Sequence, residues 1–265
     1  MKTALTIAGS DSSGGAGIQA DIKTMTANGV YATSAICTLT AQNTIGVHAI
    51  FDVPADFLEA QLNSIFADIF PDAIKIGMVS SPKLIKVIAN TLKKNKAKNV
   101  VVDPVMVSTS GARLLHHDAL TELENKLFPL ASLLTPNIPE AETLLKTNIT
   151  SREDMERATK LLFDKYGVSI LLKGGHNISS ANDFLFNKDG GRWFIGTRID
   201  NPNTHGTGCT LSSAIAANLA KGRNLSDSIT FAKKYLTGAL SDMLNLGSGA
   251  GPLNHMFDIK SDFVL

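Results

Sequence analysis

The sequence has 265 residues, of which 44% are hydrophobic and 18% are charged, a composition typical of a folded globular protein. The formal net charge is only +1, so the charge balance does not indicate binding to nucleic acid or to a membrane surface. No apolar run approaches the ~20 residues of a membrane span, the start does not resemble a signal peptide and only two cysteines are present, so we expect a cytoplasmic protein.

Short apolar runs alternate with helical patterns along the chain. Helix-start signals stand at Ser81 before Pro82 and at Thr150 with Glu153, where the spacing predicts a capping box, and that second helix is predicted to end at Gly167. The apolar runs predict six buried strands, at 3–9, 32–41, 73–79, 99–107, 132–137 and 169–175.

Two later segments, "NDFLFN" and "GRWFIGTRI", flank "KDGG" at 188–191 and predict an antiparallel hairpin. No linker or repeat interrupts the alternation of strands and helices. We therefore predict a single α/β domain over residues 1–265, with a mainly parallel sheet that is covered by helices on both faces.

Motifs rich in glycine and polar residues follow most of the predicted strands. The first strand runs into "GSDSSGGAG", the second ends at "TAQNT", and later strands end at "IGM", "DPVM", "TPNIPE" and "KGGH". Because the carboxyl ends of parallel strands meet at one edge of a sheet, where ligands bind, we expect these motifs to form one site.

The first glycine-rich loop has two interpretations. It is not a phosphate-binding Walker loop, because no Lys-Ser/Thr follows its glycines, but G-x-G-x-x-A at 15–20 fits a loose dinucleotide fingerprint. That fingerprint requires an acidic residue near the end of the second strand, and this strand ends in Gln42, Asn43 and Thr44. A tight strand-to-helix turn that needs glycine is the alternative.

The segment "NTHGTGCT" at 203–210 leads into an Ala-rich helical run. Backbone N–H groups of Gly206, Thr207, Gly208 and Cys209 would point outward there and favour an anion. A helix start also lowers the pKa of a thiol, so the pattern predicts a partly thiolate Cys209. A small buried cysteine packed at a helix start is the structural alternative.

Seven motifs occur in order over about residues 3–255: "TIAGSDSSGGAGIQADIKT", "TAQNT", "KIGM", "DPVM", "TPNIPEAE", "LLKGGH" and "HGTGCT". As a set they resemble the hydroxymethylpyrimidine/phosphomethylpyrimidine kinases of thiamine biosynthesis, in the ribokinase superfamily. The resemblance implies a ribokinase-like three-layer α/β/α sandwich, ATP with Mg²⁺, and a homodimer. It also implies two reactions, phosphorylation of 4-amino-5-hydroxymethyl-2-methylpyrimidine and then of its monophosphate to the diphosphate.

The phosphate side of such a site can be assigned residue by residue. Cys209 would take the proton of the substrate hydroxymethyl group, at a position where relatives such as ribokinase have aspartate. Asn137 and Glu140 are similar to the family's metal-associated N-x-x-E motif, although the same spacing also suits a helix cap. Lys173 would neutralise a phosphate, unless it only extends from the strand end to solvent. Asp103 ends an apolar strand and should lie near the phosphates or the metal, because a lone buried carboxylate is costly.

The substrate side must recognise a flat, neutral aminopyrimidine. Gln42 carries a carbonyl and an amide that can pair with a ring nitrogen and the exocyclic amine together. Met78 offers an apolar wall for the ring, and Gly9 lies in the first loop of the same site. Asp21 could reach the polar groups of the substrate from the first helix; a core methionine and an exposed helical aspartate are the alternatives.

The spacing of the histidines does not predict a metal site. His116 and His117 are adjacent and cannot share one helix face, while His176 and His205 could contact phosphate. The segment "STSGARLL" at 108–115 has the composition of a mobile loop that could exclude water during transfer.

Two other functions fit part of this sequence. Some bacterial enzymes of this sequence type phosphorylate pyridoxal, and they carry a second cysteine in the loop after "DPVM", where this sequence has Ser108. That difference, together with Gln42, favours the pyrimidine. A noncatalytic ligand-binding protein on the same fold is disfavoured by the complete phosphate set from Asn137 to Cys209.

Overall fold

The computed structural model describes residues 1–106, 118–175 and 181–262. The predicted loop at 108–115 and the histidines 116, 117 and 176 lie outside the described residues. Within them, every strand belongs to one nine-stranded sheet with the order β3-β2-β1-β4-β5-β6-β7-β8-β9. The strands are β1 Thr3–Asp11, β2 Tyr31–Gln42, β3 Val47–Asp52, β4 Ala73–Ile76, β5 Val100–Val102, β6 Leu133–Leu134, β7 Ser169–Leu172, β8 Asp183–Asn187 and β9 Gly190–Phe194.

The six central strands, β2, β1, β4, β5, β6 and β7, are parallel, as predicted. Antiparallel strands complete both edges, β3 beside β2 on one side and the hairpin β8–β9 beside β7 on the other. The edge strand β3 was not predicted, although its sequence VHAIFD contains a short apolar run, and its side chains are mostly exposed. The predicted hairpin is confirmed, but its connection is shorter, since β9 already begins at Gly190 with φ +106°.

Helices cover both faces of the sheet. On one face lie α1 and the pair α7–α8, and on the other lie α2, α3, α5 and α6. The helices are α1 Gly17–Ala27, α2 Ala55–Asp68, α3 Pro82–Lys94, α4 Ala119–Glu122, α5 Ile138–Leu145, α6 Arg152–Tyr166, α7 Thr207–Ala220 and α8 Leu225–Ser241; a π turn Leu123–Leu127 and a 3-10 turn Phe128–Leu130 follow α4.

The central strands are apolar throughout because both of their faces are buried. In β5, Val100 and Val102 pack into the core on the α2–α3 face, whereas Val101 packs into the core on the α1–α7 face. The same period of two places a charged residue, Lys75 of β4, on the α1–α7 face with no exposed surface. The predicted α/β architecture, with helices on both faces of the sheet, is confirmed.

The helix starts observed for α3 and α6 differ in detail from the predicted ones. Ser81 occupies the N-cap position of α3, before Pro82, but its side chain makes no capping hydrogen bond within the described part of the chain. The capping box of α6 uses Ser151 and Asp154, one residue later than the predicted Thr150 pair, and the Thr150 hydroxyl instead donates to Asp154 at 3.0 Å. The predicted end at Gly167 is confirmed, because this glycine closes α6 with φ +69°.

The helices and the strand order bear on two separate questions, membrane insertion and the place of a ligand site. None of the helices in the described ranges is long and apolar enough to cross a membrane. The chain moves from β1 to β2 on one side and later places β4 on the other side of β1, so the strand order reverses at β1. In open parallel sheets this reversal opens a crevice at the carboxyl ends of the strands.

Candidate active site

A cavity of about 830 Å³ opens at the carboxyl ends of the parallel strands, a volume within the range of small-molecule sites. The loops after β1, β4, β5, β6 and β7 form its walls together with the start of α7. Eleven of the twelve site residues predicted from the sequence line it: Gly9, Gln42, Met78, Asp103, Asn137, Glu140, Lys173, Gly206, Thr207, Gly208 and Cys209. Shared placement supports a common site, and their individual roles stay predictions.

Asp21 is the exception. Its side chain is neither in the cavity wall nor exposed; it has no exposed surface and lies beneath the site, between α1 and the sheet. Both carboxylate oxygens contact Nζ of Lys75, at 2.7 and 2.8 Å, and they also accept hydrogen bonds from Thr6 and Ser213 at 2.6 Å each. With its acceptors used in this way, Asp21 is a buried counter-ion, and the substrate contact predicted for it is corrected.

The predicted anion loop, 206–209, forms the N-cap and first turn of α7. Gly206 takes the N-cap position with φ +86°, and a Cβ there would lie 1.9 Å from the carbonyl oxygen of Gly15, so glycine is required by both conformation and packing. The N–H of Thr207 donates to the carbonyl of Thr204 at 3.3 Å and is therefore already engaged, in contrast to its predicted anion contact. The first turn of α7 still directs its remaining N–H groups and the positive end of the helix dipole at the cavity.

The Cys209 thiol does not match the predicted thiolate. Burial raises its pKa to about 11; Lys75 opposes the rise, whereas the charges of Asp21 and Asp103 add to it. A hydrogen bond from the backbone of Gly17 also lowers the pKa, but less than burial raises it. The thiol is therefore protonated near neutral pH, and the prediction from the helix start was wrong because sequence gives no measure of burial.

Lys173 and Asp103 form an ion pair beneath the anion loop. Nζ of Lys173 lies 2.7 Å from Oδ1 of Asp103, which also accepts from the Thr135 hydroxyl at 3.1 Å. A Cβ on Gly208 would lie 3.4 Å from Asp103 and 3.5 Å from Lys173, so the first turn of α7 passes directly over the pair. Burial lowers the pKa of Lys173, but the charges of Asp103 and Glu140 outweigh it, and the net pKa is raised. Lys173 therefore keeps its charge.

Asn137 and Glu140 form a complete capping box at the start of α5. The Glu140 N–H donates to Oδ1 of Asn137, the Asn137 N–H donates to Oε2 of Glu140, and both distances are 2.8 Å. Burial raises the pKa of Glu140 to about 7, and Lys173 opposes this rise. The cap predicted as an alternative is present, and because both residues also line the cavity, it does not exclude a metal role.

A metal at this position would have few protein ligands. Among the residues that the structure describes, no group of three or more His, Cys, Asp or Glu could hold a metal ion. The carboxylate of Glu140 and the side chain of Asn137 offer oxygen donors beside the anion loop. This sparse oxygen set suits Mg²⁺, which keeps several waters and takes further ligands from substrate phosphates.

Asp11, at the end of β1, organises the first glycine-rich loop. Its carboxylate accepts the N–H groups of Ser13 at 2.9 Å and of Ala16 at 2.8 Å. Burial raises the pKa of Asp11, but hydrogen bonds, first that from His205, outweigh it and bring the pKa to about 2. A Cβ on Gly17, where φ is +56°, would lie 2.3 Å from the carbonyl oxygen of Gly9. These contacts support the tight-turn interpretation of the loop.

His205 joins Asp11 to Gln42. Nε2 of His205 lies 2.8 Å from Oδ2 of Asp11 and 3.2 Å from the side-chain amide of Gln42. A proton on Nε2 that bonds the carboxylate can be shared only with an acceptor, so the Gln42 carbonyl oxygen, not its NH₂ group, should face the histidine. The Gln42 NH₂ group can then donate to the Thr40 hydroxyl, which itself donates to the Ser10 carbonyl at 2.9 Å.

Some cavity residues escaped the sequence analysis. Asp183 at the start of β8 forms an ion pair with Lys233 of α8, and both line the cavity away from Gln42. Lys75 also lines it, and its signal was available as a lysine inside the otherwise apolar strand "AIKI". Asp183 and Lys233 carry no comparable signal, because charged residues are ordinary at a strand start and on a helix surface.

The sequence matches the family described as phosphomethylpyrimidine kinase over residues 11–254. The chain belongs to the phosphomethylpyrimidine kinase family. It is 44% identical to the hydroxymethylpyrimidine/phosphomethylpyrimidine kinase of Escherichia coli (strain K12) over 257 residues, which cover 95% of this chain and 96% of that protein. It is 48% identical to the thiamine biosynthesis bifunctional protein ThiED of Geobacter sulfurreducens over 253 residues, which cover 95% of this chain but 52% of that protein. The chain thus spans about half the length of this bifunctional relative.

Solved structures of similar proteins agree with this membership. The phosphomethylpyrimidine kinase of Clostridium difficile is 44% identical, with a TM-score of 0.81 over 89% of this chain and 98% of that one. A pyridoxal kinase of Bacillus subtilis, solved as an ADP complex, is 37% identical, with a TM-score of 0.89 over 97% of this chain and 98% of that one. The resemblance inferred from the seven motifs and its ribokinase-like fold are therefore confirmed.

The raised pKa of Glu140 predicts a pH dependence of stability. A Glu whose pKa rises from 4.5 to about 7 on folding contributes stability that is complete below pH 4.5 and is lost as pH rises through about 7. Relative to Glu140→Gln, which keeps an oxygen for the cap, the unfolding free energy of the wild type should fall over this range by on the order of 1–3 kcal/mol.

Urea unfolding of both proteins between about pH 4 and about pH 8 measures this difference. The exposed Glu153→Gln serves as the matched control and should give a profile parallel to that of the wild type. Parallel profiles for Glu140→Gln and the wild type would contradict the buried, protonated state of Glu140.

Proposed function

We propose that this chain is an ATP-dependent kinase that phosphorylates 4-amino-5-hydroxymethyl-2-methylpyrimidine and then phosphorylates the monophosphate to the diphosphate, for thiamine biosynthesis. One observation carries the proposal: a single cavity joins a wall suited to a flat aminopyrimidine, at Gln42 and Met78, to an anion loop at 206–209. Phosphoryl transfer depends mainly on positioning and electrostatic stabilisation, which such a cavity can supply.

On the substrate side, Gln42, Gly9 and Met78 would enclose the pyrimidine ring. A Cβ on Gly9 would lie 3.0 Å from Cε of Met78, so the glycine leaves room for a ring to lie against the methionine. The Gln42 amide, oriented by His205, would pair with a ring nitrogen and the exocyclic amine.

On the phosphate side, the N–H groups of Gly206, Gly208 and Cys209 would hold the phosphoryl group in transfer. Lys173 would neutralise phosphate charge from beneath, and Asp103 would keep the lysine in place through their ion pair. The helix dipole of α7 adds a fixed positive potential at the same point. Asp183 and Lys233 lie further along the cavity, in the part left for the rest of the nucleotide.

Mg²⁺ would be held by Glu140 and Asn137, directly or through water, together with phosphate oxygens. When bound, the ion neutralises charge that develops on the phosphates. Glu140 must be ionised for this role, so its pKa near 7 means that the ion would displace a proton in neutral solution. The capping box would keep the carboxylate at the start of α5 in both states.

Cys209 would meet the substrate hydroxymethyl group at the first turn of α7. Because its thiol is protonated near neutral pH, it could accept a proton only through its minor thiolate form, and that form grows as pH rises towards about 11. In the second phosphorylation the nucleophile is a phosphate oxygen that is already ionised, so a general base contributes less to the rate of that step.

Three further features belong to the proposal. The nine-stranded sheet is consistent with a single kinase domain over residues 1–265. A homodimer rests on the family resemblance, and a cytoplasmic location rests on the cysteine content and on the substrate class.

The substrate assignment can be tested by measuring ADP release with Mg²⁺-ATP and three compounds side by side. We expect turnover with the hydroxymethylpyrimidine and with its monophosphate, and weaker turnover with pyridoxal, the substrate class named for structural relatives such as that of Bacillus subtilis. Turnover with pyridoxal alone would contradict the assignment and favour the second candidate function.

In the same assay, Gln42→Ala should weaken pyrimidine binding by ~1–3 kcal/mol, the scale for a buried polar partner left unmet. The KM for ATP should change little, because the neighbour of Gln42 at the start of α7 is the His205 side chain and not the N–H groups assigned to phosphate. An equal loss of affinity for the pyrimidine and for ATP would contradict the assignment of Gln42 to the substrate site.

The role of Cys209 can be tested by comparing the two phosphorylations in single-turnover experiments. If the minor thiolate acts as a base, Cys209→Ala should slow the first phosphorylation by ~10²–10⁴-fold and the second one less. The wild-type rate of the first step should also rise with pH through the neutral range, whereas the second step should not follow it. Equal losses in both steps would mean instead that Cys209 positions phosphate or shapes the cavity.

A further inference from the structure

Lys75 is a charged side chain in a place where charge is costly. It lies in the middle of the parallel sheet, on β4 between Ile74 and Ile76, and it has no exposed surface. A buried ammonium group is tolerated only when it is paired and fully hydrogen-bonded, and even then well-packed apolar residues are often as stable. Stability alone therefore gives no clear reason for a lysine here.

The partner of Lys75 connects four elements. Nζ of Lys75 lies 2.8 and 2.7 Å from the two carboxylate oxygens of Asp21, on α1. Thr6 of β1 and Ser213 of α7 each donate a hydroxyl to the same carboxylate at 2.6 Å. The cluster thus ties α7, the helix that carries the anion loop, to the centre of the sheet.

The cluster meets α7 at Ser213, one helical turn after Cys209. Ser213 follows Cys209 by four residues in α7, so the two side chains project from the same face of the helix. Lys75 and Cys209 line the same cavity, and a Cβ on Gly77 would lie 2.7 Å from the lysine Nζ, which places the ammonium group at the carboxyl end of β4. The buried ammonium group therefore acts electrostatically on the thiol from the end of β4.

We propose that Lys75, held by Asp21, is a positioning residue for phosphoryl transfer, placing a fixed positive charge beneath the Cys209 thiol and the anion loop. This inference rests on the proposed function, because it assigns the charge a task at the same site. The Lys75–Asp21 pair then sets the electrostatic potential at Cys209 in addition to linking α1, α7 and the sheet.

Four charged groups act on Cys209 from the surrounding elements: Lys75 of β4, Asp21 of α1, Asp103 after β5 and Lys173 after β7. Lys75 favours the thiolate and Asp21 disfavours it, so the two members of the pair act in opposite directions. Removing one charge at a time should therefore shift the reactivity of the thiol with opposite signs, which the loss of a purely structural contact would not do.

Alkylation of Cys209 by iodoacetamide measures this effect without substrate or metal. The thiolate is the reacting form, and at a pH well below the thiol pKa the rate is proportional to the thiolate fraction. At about pH 8.5, Lys75→Met should react roughly tenfold more slowly than the wild type, and Asp21→Asn roughly tenfold faster, each corresponding to about one pKa unit. The buried Cys37, resolved by mass spectrometry, reports any general loosening of the fold.

Ser213→Ala is the matched control, because it removes a hydrogen bond to Asp21 but leaves both charges in place. Its alkylation rate should stay close to that of the wild type. If Lys75→Met does not fold, the double variant Lys75→Met/Asp21→Asn replaces both charges with neutral groups of similar size. It should then react more slowly than Asp21→Asn, and the difference isolates the effect of Lys75.

Shifts of the same sign in both single variants, or no shift in either, would overturn the proposal and leave a structural ion pair. The assay is also separate from the proposed function. If the alkylation rates of the two single variants shift in opposite directions but the protein does not phosphorylate the pyrimidine, the electrostatic coupling stands and its role in phosphoryl transfer is rejected. If the pyrimidine is turned over normally but the alkylation rates do not shift, the proposed function stands and the role of Lys75 is rejected.

Discussion

The burial of charge at the carboxyl ends of the parallel strands is the constraint on which the site depends. A charge there must be paired or hydrogen-bonded, and each such contact joins a strand end to another element. Lys75 of β4 pairs with Asp21 of α1, and Lys173 after β7 pairs with Asp103 after β5. Asp11 of β1 is hydrogen-bonded to His205 before α7. The start of α7 packs over these pairs, so the geometry of the anion loop follows from the way the charges are neutralised.

The pairing also limits what the cavity can bind without help. Lys75, Lys173 and Lys233 each face a carboxylate, which reduces the potential they supply to a polyphosphate. The N–H groups and dipole of α7 and a metal ion would add to that potential. A neutral aminopyrimidine suits the remaining wall at Gln42 and Met78, where polarity is supplied by an amide and not by a charge. A pyridoxal kinase shares this architecture, so the fold is found with more than one flat substrate.

Sequence reasoning located this site because parallel strands place their carboxyl ends together, so motifs that are distant in sequence had to meet. It failed where the outcome depended on burial. Asp21 could be placed on a helix but not on its buried face. Cys209 could be placed at a helix start, but the desolvation that raises the pKa of its thiol could not be predicted. The α6 cap was displaced by one residue because Thr150, Ser151, Glu153 and Asp154 offer two overlapping pairs of capping type.

The most direct measurement is a crystal structure of the chain with Mg²⁺-ADP, a planar phosphoryl analogue and the hydroxymethylpyrimidine. We expect the analogue to lie about 3 Å from the N–H groups of the 206–209 loop, with the ring between Gln42 and Met78 and the metal at Glu140. A nucleotide bound outside this cavity, or a pyrimidine whose hydroxymethyl group points away from Cys209, would contradict the proposal that one site at the strand ends carries out both phosphorylations.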